Sequence, residues 1–355
     1  MSVRAEITLP ITVLLLLSAG LFILSSAAPD ISFLNRQLIF VAMGVIMCAL
    51  ILLLGSKRIL AAAFPLYGLS TALLVLTQLF GTEVNGAKSW LFLGPLPGFQ
   101  PSEFAKLSLI LALAKLLHDK PIKSLLDYIR PVVLMMIPFG LVFLEPDLGS
   151  ALVIGAIGAG MILVRGIPWK HLLIFIVLFA VGMPTVVWPQ LKPHQKTRLS
   201  IFLNPEADPQ GSGYQVIQSR IAIGSGGILG KGYKKGTQTQ LGFIPYPYSD
   251  FIFPVVAEEG GFIASVTLLL LYALLFWRLT AMATECRYER DQLIIVGIVS
   301  LLGFQVLINI GVTLGLAPVT GITLPLISYG GTSLLSTLTV LSLAFVVHKD
   351  RFKEW

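Results

Sequence analysis

Residues 292–348 read QLIIVGIVSLLGFQVLINIGVTLGLAPVTGITLPLISYGGTSLLSTLTVLSLAFVVH, and none of these 57 positions is Lys, Arg, Asp or Glu. A helix that crosses a bilayer needs about 20 apolar residues, so the stretch is long enough for two spans and a turn. Pro318, Gly321 and Pro325 place that turn near residues 316–325. The stretch therefore predicts a pair of membrane-spanning helices.

The rest of the chain has a similar composition. Hydrophobic residues make up 55% of the 355 residues and charged residues only 12%, whereas a soluble domain carries roughly 25% charged residues. This composition excludes a soluble enzyme, a disordered chain and a nucleic-acid binder with a basic surface. Further spans are predicted at residues 7–29, 37–56, 59–82, 102–118, 131–144, 148–164, 171–191 and 260–277. We therefore expect an all-α polytopic membrane protein of about ten transmembrane helices, with residues 1–355 as a single membrane-embedded domain.

The basic residues set the direction of the spans. With the N-terminus in the cytoplasm, most Lys and Arg residues fall in the inner loops and the C-terminal tail, as the positive-inside rule requires. Most of the others lie in one long segment, which the rule does not constrain. Both termini are therefore predicted to be cytoplasmic, and a long extracytoplasmic loop is predicted at about residues 189–253, between spans 7 and 8.

Several common catalytic motifs are absent from the sequence. The four histidines are far apart and form no HExxH, so a zinc site is not expected. No Ser stands three residues before a Lys, so the SxxK motif of transpeptidases is missing. Cys48 lies in an apolar run and Cys286 in a charged loop, which does not predict a disulfide framework.

Ionisable residues at the outer edge of the membrane are the first candidates for chemistry, because such groups are costly there and tend to be functional. They are Glu103, Lys106, Glu145, Asp147, Glu258 and Glu259. A structural interpretation stays open for several of them. Glu103 and Lys106 have the spacing of an intrahelical ion pair, and Glu145 and Asp147 could cap the helix that follows them.

The long outer segment contains two further features. Residues 215–223 read as an amphipathic helix, which we expect on or just within the outer membrane surface. The glycines at 224–227 and the basic stretch from Lys231 suit phosphate oxygens. The alternative is a flexible loop whose positive charge is attracted to anionic lipid.

Asp250 stands among aromatic residues and prolines at the start of a span. A half-buried carboxylate in such surroundings has a raised pKa, which suits a general base. The alternative is a helix N-cap, since Asp is a favoured cap and Pro254 suits a first turn.

Taken together, these strings resemble the SEDS family (shape, elongation, division and sporulation), and in particular its elongation branch. The matching strings, in the family's order, are Gly86-Ala87-Lys88-Ser89-Trp90, Gln100-Pro101-Ser102-Glu103-Phe104-Ala105-Lys106, Glu145-Pro146-Asp147-Leu148-Gly149-Ser150, Asn204-Pro205, Asp208-Pro209, Gly213-Tyr214-Gln215, residues 218–227, Gly230-Lys231-Gly232, Gly236-Thr237-Gln238, Asp250-Phe251-Ile252-Phe253, Glu258-Glu259 and residues 318–333.

The resemblance implies a peptidoglycan glycosyltransferase that polymerises lipid II on the outer face of the bacterial cytoplasmic membrane during cell elongation. Asp250 matches the family's essential aspartate, and we expect it to act as the base in an inverting transfer, which needs one carboxylate. The expected substrate-binding residues are Trp90, Glu103, Lys106, Glu145, Asp147, Arg198, Gln215, Lys231, Glu258 and Ser328.

The leaving diphosphate needs positive charge. Lys106, Arg198 and Lys231 are the candidates among the side chains, with a divalent cation (Mg²⁺ or Mn²⁺) held by carboxylates as a further candidate. The sequence names no ligands for such an ion.

Three departures from the family pattern stand out. Tyr246 and Tyr248 replace the usual Glu and His before Asp250. Lys88 stands one position before the usual Arg and is a candidate to replace its cation. Glu258-Glu259 is followed by Gly260-Gly261 instead of Leu-Gly.

The expected partners are lipid II, the growing glycan strand and membrane lipids, with no nucleic acid. Because the chain lacks SxxK, the resemblance also implies a class B penicillin-binding protein as the companion that cross-links peptides. Two other functions stay open. A lipid II flippase would also place charged residues along a helical bundle, and a non-catalytic scaffold of the cell-wall complex would not depend on Asp250.

Overall fold

The computed structural model describes residues 2–84, 87–92, 98–119, 124–182 and 212–351, together with 184–185, 188–190, 196 and 202. The described chain is almost entirely helical. The long helices are α1 (Ser2–Ala27), α2 (Ile31–Ala61), α3 (Ala63–Phe80), α4 (Pro101–Asp119), α5 (Ile129–Leu144), α6 (Leu148–Gly166) and α7 (Trp169–Gly182). After the short α8 (Trp188–Gln190) follow α9 (Ser212–Ser225), the short α10 (Thr237–Gln240), α11 (Ile252–Glu285), α12 (Glu289–Leu314) and α13 (Gly331–Lys349).

Each of the ten predicted spans coincides with a long helix in the described residues, so the prediction of a polytopic helical membrane protein is confirmed. Among the described residues, eight segments are long and apolar enough to cross a membrane. The other two helices do not meet these criteria, because α4 contains too many charged residues and α7 has only 14 residues. The sequence did not predict the small hairpin in which β1 (Thr82–Val84) pairs antiparallel with β2 (Ala87–Trp90).

The charged helix α4 is tolerated because it lies inside the bundle. It packs against α3, α5, α6, α12 and α13, and most of its residues are buried. Helices α12 and α13 are also mostly buried, whereas α1, α2, α3 and α5 expose most of their apolar surface. The exposed apolar faces of these outer helices suit contact with lipid.

The connection between the last two helices is longer than the predicted turn at 316–325. Helix α12 ends at Leu314, and Gly315 takes the left-handed conformation (φ 69°) that closes many helices. Residues 315–330 contain no helix, yet Ile322, Leu324 and Ile327 are buried. This outer connection, residues 315–330, therefore folds back into the bundle instead of looping away from it.

The predicted amphipathic helix in the outer segment is present as α9, but it docks onto protein. Ser219 Oγ donates to the carbonyl of Thr313 (2.7 Å). Arg220 donates to the carbonyls of Leu314 and Gly315 (3.0 and 3.1 Å) and so caps the end of α12.

Candidate functional site

A cavity of about 980 Å³ opens among α2, α4, α6, α9 and the outer connection. By the predicted direction of the spans it lies on the outer side of the membrane. We call it the central cavity. Its polar and aromatic lining includes Arg36, Trp90, Gln100, Glu103, Lys106, Asp147, Gln215, Tyr246, Tyr248, Asp250, Gln305 and Tyr329. The structure thus brings together six of the predicted site residues: Trp90, Glu103, Lys106, Asp147, Gln215 and Asp250.

Hydrogen bonds from α12 and the outer connection hold the backbone of residues 248–250. The carbonyl of Tyr248 accepts from the backbone N–H of Tyr329 (2.8 Å). The carbonyl of Ser249 accepts from Ser328 Oγ (2.6 Å). The carbonyl of Asp250 accepts from Asn309 Nδ2 (2.9 Å). Three consecutive carbonyls are therefore attached to α12 and the outer connection, which leaves the Asp250 side chain on a fixed support.

The carboxylate of Asp250 lies beside the outer connection. A Cβ added to Gly321 would lie 3.6 Å from Asp250 Oδ2. The N-cap position of α11 is Phe251, which makes no side-chain capping bond, and the helix-capping alternative for Asp250 stays open.

Glu103 and Lys106 form the predicted ion pair, with 2.6 Å between Oε1 and Nζ. Both side chains are buried, and both still line the central cavity. Pairing compensates part of the cost of removing two charges from water. The ion pair therefore allows one cation and one carboxylate to remain charged in the wall of the cavity.

The two acidic residues of the Glu145-Pro146-Asp147 stretch differ in role. Asp147 caps α6 by accepting from the backbone N–H of Ser150 (2.9 Å), as predicted, and it also accepts from Gln100 Nε2 (3.1 Å). Glu145 does not line the cavity, and within the described residues neither of its buried carboxylate oxygens has a hydrogen-bond partner. Burial, with a smaller effect from Asp147, raises the pKa of Glu145 to about 8.

Lys231 and Glu258 lie outside the central cavity and pair with each other (2.7 Å). Glu258 is fully buried and also accepts from the backbone N–H groups of Gln238 and Thr239. These bonds hold residues 231–239 against α11. Substrate contact by Lys231 or Glu258 stays a prediction, and the observed contacts are structural.

The glycine-rich loop before Lys231 packs into a kink of α11. Gly261 takes φ 67° and interrupts the helix. The N–H groups of Lys231 and Gly232 donate to the carbonyls of Glu258 and Glu259 (3.0 and 2.9 Å). These two N–H groups are therefore already satisfied within the protein, and phosphate binding by the loop stays a prediction.

Other predicted site residues have different outcomes. Ser328 is buried and does not line the cavity, but its hydroxyl donates to the carbonyl of Ser249. Lys88 donates to the carbonyls of Gln78 and Leu79 at the end of α3, so it does not provide the predicted cation in the cavity. Arg198 lies outside the described residues, as do the strings at 204–205 and 208–209.

Sequence reasoning missed three residues of the site. Arg36 lines the cavity, and its signal was a single basic residue within the apolar stretch 31–56. Asn309 is buried and donates to the carbonyls of both Asp250 and Ile322. Tyr329 lines the cavity beside Tyr248. Neither Asn309 nor Tyr329 has a local sequence signal that distinguishes it.

Binding of a divalent cation stays a prediction. Within the described residues, no three His, Cys, Asp or Glu side chains come together in a way that could hold a metal ion.

The whole chain has known relatives. Residues 3–353 match the cell cycle protein family of FtsW, RodA and SpoVE. The chain is 36% identical over 338 residues to the peptidoglycan glycosyltransferase MrdB of Escherichia coli (strain K12), covering 95% of this chain and 91% of that protein. It is 36% identical over 371 residues to stage V sporulation protein E of Bacillus subtilis (strain 168), covering 99% and 98%.

Two solved structures are similar over nearly the whole chain. One chain, from work described as "Structural coordination of polymerization and crosslinking by a peptidoglycan synthase complex", is 46% identical with a TM-score of 0.87 and 98% coverage of both chains. The crystal structure of the Thermus thermophilus rod shape determining protein RodA is 39% identical with a TM-score of 0.75, covering 98% of this chain and 97% of that one.

Proposed function

We propose a substrate and a chemical step for this chain, which belongs to the cell cycle protein family of FtsW, RodA and SpoVE. It is a multi-pass membrane protein and a peptidoglycan glycosyltransferase. The proposed substrate is lipid II, which the chain polymerises into glycan strands on the outer face of the bacterial cytoplasmic membrane during elongation. One observation carries the proposal: Asp250 shares a single cavity with Arg36 and Lys106.

In the proposed step, Asp250 removes the proton from the 4-hydroxyl of the acceptor sugar. The hydroxyl oxygen then attacks the anomeric carbon of the donor, and a new glycosidic bond forms as the bond to the diphosphate breaks. Undecaprenyl diphosphate leaves with the bonding electrons. Because attack and departure occur on opposite faces, the donor carbon is inverted and one carboxylate is enough.

The diphosphate carries the charge that develops in this step. Arg36 and Lys106 are the cations among the described cavity-lining residues. Fixed positive groups aimed at a developing charge stabilise the transition state without a cost of reorganisation. We therefore propose that these two side chains hold the leaving group, while the Asp250 carboxylate faces the acceptor.

A class B penicillin-binding protein is the proposed partner. The chain has no SxxK motif with which to cross-link peptides. The similar solved chain comes from a complex described as coordinating polymerization and crosslinking. Both points support a division of labour between two proteins.

The test is polymerisation of fluorescent lipid II by the purified protein in vesicles, alone and with its cognate transpeptidase. The proposal predicts a ladder of glycan products. If labelled lipid II crosses the vesicle membrane without forming glycan, the chain is a transporter. If neither product nor movement occurs with the partner present, the scaffold function is favoured.

A further inference from the structure

Four aromatic rings form a cluster at the edge of the central cavity. Tyr248 lies at its centre, with ring centroids 4.7 Å from Phe33, 6.0 Å from Tyr329 and 6.3 Å from Tyr246. Phe33 also contacts Tyr329 at 5.0 Å. The three tyrosines line the cavity together with Asp250, and Phe33 packs against two of them.

Contacts between separate segments of the chain hold the rings of this cluster in place. The backbone N–H of Tyr329 donates to the carbonyl of Tyr248, which joins the two segments directly. Phe33 lies on α2 and contacts both rings. Edge-on aromatic contacts at such distances are favourable. Tyr248 and Tyr329 therefore hold their positions before any ligand arrives.

Tyr246 is the exposed member of the cluster. Its side chain is 47% exposed, and its backbone takes φ 51°, a left-handed conformation unusual for a bulky residue. Such strained residues tend to lie at ligand-binding and catalytic sites. A turn in which Ser249 N–H donates to the Tyr246 carbonyl (3.1 Å) helps to fix this conformation.

The phenol groups complete the chemical character of the cluster. No hydrogen bond joins the hydroxyls of Tyr246, Tyr248 and Tyr329 to a protein group within the described residues. The pKa of Tyr248 is raised, first by burial and then by Tyr246, Tyr329 and Asp250. Tyr248 is therefore a neutral hydrogen-bond donor close to the Asp250 carboxylate.

We infer that Tyr246, Tyr248 and Tyr329 form a platform that binds a pyranose ring of the glycan substrate next to Asp250. A pyranose has an apolar C–H face that packs on aromatic rings and hydroxyl edges that accept from phenols. The inference rests on the proposed function and gives a role to the two tyrosines in which this chain departs from its family.

An aromatic belt at the membrane interface is the alternative for these tyrosines. Belt residues face lipid headgroups, whereas these three line a cavity that also contains Arg36, Lys106 and Asp250. The cavity position favours a polar ligand.

The test compares Tyr246→Ala with Tyr246→Phe in the lipid II polymerisation assay. We expect Tyr246→Ala to raise KM about tenfold with kcat changed less than about twofold, because ring contact is lost while the chemistry remains. Tyr246→Phe keeps the ring and is expected to stay within about threefold of wild type. Tyr233→Ala is the matched control, since Tyr233 is an exposed tyrosine outside the cavity.

A second experiment measures binding of a saccharide in the absence of polymerisation. An N-acetylglucosamine tetrasaccharide is titrated into the purified full chain, and the shift in thermal midpoint is followed. We expect saturable stabilisation of wild type, and at least about tenfold weaker binding to Tyr246→Ala. Unchanged KM and unchanged tetrasaccharide binding in Tyr246→Ala would overturn the platform. Absence of glycan from wild type, with binding still lost in Tyr246→Ala, would contradict only the proposed function.

Discussion

Asp250 depends on residues that are distant in the chain but adjacent in space. Asn309 donates to the carbonyls of Asp250 and Ile322 (2.9 and 2.7 Å), and so joins α12, the outer connection and the segment that carries Asp250. Asp250 could be identified as a candidate, because it is a lone acid among aromatics and prolines and matches the essential aspartate of the family that the sequence resembles. The role of Asn309 could not, because nothing near it in an apolar helix indicates which carbonyls it meets.

Glu145 gives a prediction on stability and pH. Burial raises the pKa of Glu145 in the folded state to about 8, from the ordinary value of 4.5. Between these two pH values the folded state keeps a proton that the unfolded state has released. Wild-type stability therefore falls as pH rises from about 4.5 to about 8. Glu145→Gln is expected to unfold several degrees above wild type at pH 9 and at the same temperature near pH 4, by thermal unfolding in detergent.

The control for this prediction is Asp147→Asn, which removes a charge two residues away. Asp147 caps α6 and accepts two hydrogen bonds, so we expect that variant to be less stable than wild type at pH 9. Equal midpoints for Glu145→Gln and wild type at both pH values would contradict a buried, protonated Glu145.

At the scale of elements, the kink of α11 organises the outer surface. Its two halves meet at Gly261, where the loop 226–232 inserts and exchanges backbone hydrogen bonds with residues 258–263. The sequence showed two glycines after Glu258-Glu259 but gave no reason for them. The reason is tertiary: one glycine provides a positive φ, and the loop approaches too closely for a side chain.

Gly261→Ala tests that reason. An added Cβ would lie 2.3 Å from the backbone nitrogen of Gly230, and φ 67° is strained for alanine. We expect a loss of at least about 1 kcal/mol of stability and faster amide exchange in residues 226–232, measured by hydrogen–deuterium exchange. Gly68→Ala is the control, because a Cβ there has no neighbour within 4 Å. Wild-type exchange rates in Gly261→Ala would contradict this account of the kink.

At the scale of the whole molecule, the helical fold could be predicted because a bilayer constrains the sequence of every span. Every span must supply an apolar stretch of sufficient length, so composition and charge located the helices. The cavity was less predictable because its lining comes from residues as far apart as Arg36, Asp147 and Tyr329. Their convergence depends on how helices pack, which a pattern along one segment does not specify.

The direction of the bundle can be tested directly. Lys235 and Arg287 are both exposed, and the topology assigns them to opposite sides of the membrane. In a Cys48→Ala, Cys286→Ala background, a membrane-impermeant thiol reagent on spheroplasts is expected to label Lys235→Cys and not Arg287→Cys. Lysis should make both accessible. Labelling of Arg287→Cys alone before lysis would reverse the topology and place the cavity in the cytoplasm.

The most direct measurement is the rate of glycan formation by Asp250→Asn, compared with wild type at equal lipid II occupancy. The substitution keeps the shape of the side chain and the three backbone hydrogen bonds but removes the base. The account predicts a rate lower by roughly 10²–10⁴-fold, with thermal stability and lipid II binding unchanged. A rate within tenfold of wild type would contradict the assignment of Asp250 as the base.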